Sequence, residues 1–220
     1  MRNIIVLGIE MLLCFIFIIF LYKKYKTDGL LTYAIITTII SNILSLKEID
    51  ILNVEVPLGI GLTISIVLVA NIITQKRGKD EVNNLLVLVF IASLISCCFL
   101  NLSGLITSSD ISKYANKSYD SIFEYNLRIY IANTVSLILS IFFSSRIYYS
   151  LKRIKNKIII SNVFSIIIIE FVDNILFILI AYIYIKEIPD IILAITIRYA
   201  LKVLLGIIGT IPIYIIEKQR

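Results

Sequence analysis

Four ionisable residues stand where an apolar chain has least use for them. In the stretch IIIIEFVDNILFILIAYIYI (166–185), Glu170 and Asp173 are three positions apart, and further on Arg198 and Lys202 are four apart. At 100° per residue, Asn162, Glu170, Asp173, Asn174 and Phe177 share one side of a helix; Arg198, Lys202, Gly206 and Gly209 share one side of the next. An isolated charge at mid-bilayer costs at least about 2.5–3.5 kcal/mol, and pairing offsets only part of it. Apolar packing would join two helices at lower cost, so these residues point to a polar cavity that a solute enters; the alternative is that they only lock two helices together.

Depth supports pairing. Counted from the short connection KEIPD (186–190), Asp173 lies about 15 Å in, Arg198 about 12 Å, Glu170 about 20 Å and Lys202 about 18 Å along straight helices. The expected pairs are Asp173 with Arg198 and Glu170 with Lys202. Other stripes are uncharged: Thr38, Ser41, Asn42 and Ser45 on one helix, Thr63, Asn71, Thr74 and Gln75 on another, both expected to face an interior. Ser136, Ser140 and Ser144 recur every four residues, for which close helix packing is the default explanation. Glu10 is a lone carboxylate, either protonated or held by an interior contact.

The elements that position these residues follow from composition. The chain has 220 residues, 59 % of them hydrophobic, too apolar for a soluble domain. The apolar runs lack the period-two alternation of a membrane barrel, so the fold class is all-α, a polytopic bundle of helices. Seven spans are expected, at about 4–22, 30–46, 57–75, 83–106, 126–148, 158–184 and 190–216. Lys and Arg cluster at 23–26, 76–79, 152–157 and 218–220, every second connection, which places the N-terminus outside and the C-terminus in the cytoplasm of a cell (inner or plasma) membrane. The first run ends in KKYK without a small-residue cleavage site and reads as a retained helix. The loop at about 108–124 is a lid or a plain connection.

Several chemistries are excluded. The chain has no histidine, which removes the commonest general base and the Ser-His and Cys-His nucleophiles. Cys14, Cys97 and Cys98 show no metal-ligand spacing, no phosphate-binding loop is present, and two acids on one helix do not make a peptidase dyad. The reading is a non-enzyme with no cofactor and no metal. The net charge of +6 serves membrane topology, not nucleic-acid binding.

Four segments, SNILSLK (41–47), GKDE (78–81), SIIIIEFVDNILFILIAY (165–182) and YALKVLLGIIGTIPIY (199–214), resemble the queuosine precursor transporter family, also called vitamin uptake transporters. The resemblance spans about residues 30–216. It implies a six-helix transporter core at 29–220, with 1–28 an additional N-terminal transmembrane helix, and uptake of a 7-deazaguanine such as preQ0, preQ1 or queuine. The chain departs from the family pattern at Asn71, where Asp is usual, at Arg77, where Tyr is usual, and at Gly209, where an acidic residue is common. The expected function is import of a small planar nucleobase-like solute, with Asn42, Asn71, Glu170, Asp173, Asn174, Phe177, Arg198 and Lys202 as substrate-binding residues. Partners are the solute and the lipid bilayer; a homodimer or an energising ATPase module is left open. The rival readings are a substrate-binding subunit of an energy-coupling-factor importer and a non-transporting partner or immunity protein.

Overall fold

A computed structural model describes residues 2–104, 106, 127–155 and 157–218. It consists of helices α1 (Arg2–Leu44), α2 (Ile60–Arg77), α3 (Val82–Gly104), α4 (Leu127–Lys155), α5 (Ile158–Tyr182), α6 (Ile188–Ile208) and α7 (Thr210–Lys218), with a two-stranded hairpin of β1 (Glu48–Ile51) and β2 (Val54–Pro57). Among the described residues six helical stretches are long and apolar enough to cross a membrane. The all-α polytopic bundle read from composition is therefore the observed architecture. The loop at 108–124 lies outside the described residues.

The 43-residue α1 contains two of the expected spans. A straight helix of that length would reach about 64 Å, twice the hydrocarbon thickness. Lys26 breaks it, with φ 55° and ψ −132°, and the segment before it returns along the segment after it. Two contacts establish this: the Asn3 amide donates to the Asp50 carbonyl at 2.7 Å, beyond the far end of α1, and a Cβ on Gly29 would lie 2.5 Å from the Leu21 carbonyl oxygen. Glycine is needed at that turn because no other residue fits against the incoming backbone.

The hairpin occupies the connection between the spans expected at 30–46 and 57–75. Ile49, Ile51, Val54 and Val56 alternate with Glu48, Asp50 and Glu55, and the register pairs Ile51 with Val54 and Asp50 with Glu55. Ile51, Val54 and Val56 are buried against the bundle. The turn residues Leu52 and Asn53 both take positive φ, 56° and 63°, the arrangement that matches strand twist in a two-residue hairpin. Asp50 accepts the Asn53 N–H at 2.9 Å.

At the other end, the expected span 190–216 is divided at Gly209. Pro212 has no N–H to continue the ladder of α6 and its ring clashes one turn back, so the chain restarts as α7. A Cβ on Gly206 would sit 2.6 Å from Ile166 Cγ2; its absence brings α6 close to α5. Helix α2 is the enclosed one, buried at nearly every position from Ile60 to Thr74. Helix α3 instead turns Phe90, Leu94 and Phe99 outward.

Candidate functional site

The four charges meet. Lys202 Nζ donates to Glu170 Oε2 at 2.7 Å and also to Asp173 Oδ2. Arg198 Nη1 faces the same Asp173 oxygen at 3.7 Å, and Ser140 of α4 donates to Asp173 Oδ1 at 2.9 Å. The arrangement is a triad around Lys202 with Arg198 on one flank, rather than two separate pairs. The long lysine stem reaches between acids one turn apart. All four residues are 0–3 % exposed.

Phe177 supports the cluster from the hairpin side. Arg198 lies flat on its ring, Cζ 3.8 Å from the centroid, so the ring face expected to carry a solute carries the guanidinium. Tyr182 follows at 6.3 Å from Phe177, and Lys186 Nζ sits 4.6 Å over Tyr182. Two rings thus stand between two cations from the end of the bundle to its middle, each cation held by a ring quadrupole. The charges are sealed by these neighbours. Open space lies one turn away, where a cavity of about 290 Å³ is lined by Asp50, Glu55, Lys186, Asp190 and Ala194; Ala194 is one turn before Arg198 on α6. The hollow expected beside the charges is therefore displaced toward the hairpin.

Asn42 and Asn71 stand in separate layers. Asn42 accepts from Asn133 at 2.6 Å and donates to Ser93 at 3.1 Å. Asn71 donates to Asn162 Oδ1 at 2.9 Å and accepts the Ser144 hydroxyl at 3.0 Å; Asn162 in turn donates to Thr210 at 3.1 Å. Next comes Tyr148, which donates to Gln75 at 2.9 Å. One side of α4, through Asn133, Ser140, Ser144 and Tyr148, thereby joins α1, α5 and α2 in stacked polar layers. Asn174 belongs to the charged layer: its amide donates to the Glu170 carbonyl at 2.5 Å.

At the hairpin, Lys186 Nζ lies 3.2 Å from Glu48 Oε1 and 3.0 Å from Glu55 Oε2. The hydrogen bond from Lys186, then its charge, holds the Glu55 carboxyl below the usual range. Partial burial works against the Lys186 ammonium, but the Glu55 and Glu48 carboxylates outweigh it and raise its pKa.

Residues 57–216 match the family described as "Putative vitamin uptake transporter". The chain belongs to this family. No curated protein and no solved structure matches it. As a vitamin uptake transporter it is a multi-pass membrane protein of a non-enzymatic, transporting family. The match begins at 57, past the 30 at which the resemblance was expected to start.

Two departures from the family pattern have local explanations. Asn71 both donates to Asn162 and accepts from Ser144, which an ionised Asp, an acceptor only, could not do. Gly209 makes room for Leu68, whose Cδ1 would lie 2.2 Å from any Cβ there. The sequence reading passed over the α4 serines as packing, and Ser140 is the missed member of the charged layer. Its four-residue spacing with Ser144 marks the shared helix face but not the distant partner. Glu10, which the sequence leaves open, reaches the first turn of α2, where its Oε1 lies beside Gly61.

Proposed function

We propose that this vitamin uptake transporter imports a small planar nucleobase-like solute of the 7-deazaguanine type, such as preQ0, preQ1 or queuine, through a site around Arg198 and Asn174. The observation that carries this reading is a set of buried polar atoms without a hydrogen-bond partner in the protein. They are Arg198 Nε and Nη1, Asn174 Oδ1 and Glu170 Oε1, gathered about one charged layer. Unpaired groups of this kind are costly in a dry interior unless a ligand meets them. A deazaguanine edge offers ring and amino N–H donors for Asn174 Oδ1 beside a keto oxygen for the Arg198 fork, and its flat ring suits the guanidinium plane above Phe177. Glu170, Asp173 and Lys202 set the charge of this buried layer. Asn42 and Asn71 hold the layers on either side.

The hairpin end faces outward in this reading. The basic ends of the helices support it, because they gather together at the opposite end: Lys26 and Lys76 both lie over Tyr22, and Lys79 over Tyr149. Cationic loops are retained on the cytoplasmic side. The cavity under the hairpin is then the outer vestibule, and Phe177 with Tyr182 closes it from the charged layer. Uptake follows when that closure yields on one side while the Asn71 layer holds on the other. Residues 1–28 form an added helix beside a six-helix core at 29–220.

Uptake of labelled preQ0, preQ1 and queuine in cells lacking their own synthesis and salvage tests the reading. The intact protein is expected to take up at least one, and Asp173→Asn, inserted at the same level, to lose it. No uptake of any of the three by the inserted protein would overturn the substrate.

A further inference from the structure

We propose that Glu170 carries a transported proton, with Asp173 the permanent counter-ion of Lys202, so that uptake is coupled to proton entry. The coupling rests on the transport reading above; the assignment of the proton to Glu170 rests on geometry alone.

The two acids share one ammonium but are not equivalent. Both Asp173 oxygens are engaged, Oδ1 by the Ser140 hydroxyl at 2.9 Å and Oδ2 by Lys202 with Arg198 Nη1 at 3.7 Å. Glu170 has Lys202 on Oε2 at 2.7 Å and nothing on Oε1, although the residue is fully buried. Donors stabilise an anion, and desolvation without donors favours the neutral acid. Of the pair, Asp173 is built to stay ionised and Glu170 to accept a proton.

The charged groups facing Glu170 are Lys202 and Arg198 from α6 and Asp173 from its own helix. Helix α4 presents Ser140 to Asp173 at this level, and Ser144 with Asn71 forms the neighbouring layer; these hydroxyls and the amide neither add nor remove charge. Glu10 is the other acid with an open buried oxygen among the described residues, but it lies beside Gly61 at the start of α2 and is not among the charges that face Glu170.

The step balances simply. With the layer open to the outside, hydronium gives its proton to Oε1, forming an O–H bond and leaving water. Lys202 keeps its own proton and remains on Asp173. With the layer open to the inside, the O–H bond breaks and water takes the proton.

Infrared titration of the full-length protein in liposomes, without solute, reads this directly. Expected is a carboxylic-acid carbonyl absorption that rises as pH falls, is lost from the difference spectrum in Glu170→Gln, and returns at a shifted frequency in Glu170→Asp. Glu170→Asp also controls for misfolding of the amide variant. An unchanged titrating band in Glu170→Gln, or no such band in the wild type at any pH, would overturn the assignment. In the same liposomes, preQ1 uptake is expected to rise when the outside is made acidic, and the stimulation to disappear in Glu170→Gln. Uptake that ignores the gradient in the wild type overturns the coupling; absence of preQ1 uptake with the titrating band intact counts against the solute, and leaves the proton on Glu170.

Discussion

The molecule contains one device twice: a lysine held between two carboxylates. At the hairpin, Lys186 lies between Glu48 and Glu55, with Glu55 largely exposed. Midway along the bundle, Lys202 lies between Glu170 and Asp173, none more than 3 % exposed. The geometry is alike and the energetics are not. Near water each hairpin charge has solvent as an alternative partner, so the tie is weak and screened by salt. In the interior no alternative exists, and removing one member strands the others. The first device fastens a flap to the α5–α6 connection; the second sets the charge state of a site.

Breaking the inner device has the largest expected effect. Lys202→Met leaves Glu170 without its cation beside an Asp173 held only by Arg198 and Ser140, and is expected to cost about 3–5 kcal/mol, read as a lowered midpoint of thermal unfolding in detergent. A triple variant that also replaces both acids, Glu170→Gln with Asp173→Asn, is expected to regain much of that loss. If Lys202→Met unfolds like the wild type, the buried triad does not hold the fold.

Next comes Gly206→Ala, which drives a methyl into Ile166 and is expected to destabilise by about 1–3 kcal/mol. Pairing it with Ile166→Val or Ile166→Ala is expected to relieve the clash, a coupling that a double-mutant cycle measures. Ser140→Ala removes one donor from an ionised carboxylate and is expected to cost about 1.5–3 kcal/mol, with the midpoint of unfolding as the readout.

The outer device is expected to respond least to mutation and most to solution conditions. Lys186→Met is expected to lower stability only slightly, and the difference from wild type to vanish at high salt. Its pH window follows from the two shifts. Glu55 titrates below its ordinary value when folded, so its contribution is present above the ordinary carboxylate range and is lost as pH falls through the lowered value. Lys186 titrates above its ordinary value, so its contribution is present below the ordinary lysine range and is lost as pH rises through the raised value. Hydrogen exchange of the β1 and β2 amides across pH is expected to show protection between those limits and faster opening outside them.

Much of this contrast was legible in the chain itself. The i, i+3 and i, i+4 spacings placed the charges on facing sides, and the depth count matched Glu170 to Lys202. What depth alone could not show is that the lysine reaches both acids, because a four-carbon stem spans the height difference between them. The role of α4 was hidden for a different reason. A serine or threonine in an apolar helix often bonds its own carbonyl one turn back, as Thr38 and Thr74 do, so spacing does not reveal which hydroxyl has a distant partner. The hairpin escaped notice because Leu52 and Asn53 are not a usual pair for two successive positive-φ positions. The turn near Lys26 was placed correctly between two spans, but the helix runs into and out of it with hardly any loop.

The balance of two anions and two cations in the buried layer has an electrical consequence. In the ionised form the layer carries no net charge, so the voltage across the bilayer exerts no net pull on it. One proton on Glu170 makes it singly positive, and each 100 mV it then traverses is worth about 2.3 kcal/mol. An interior-negative cell would draw the loaded form inward and let the empty form return without electrical work.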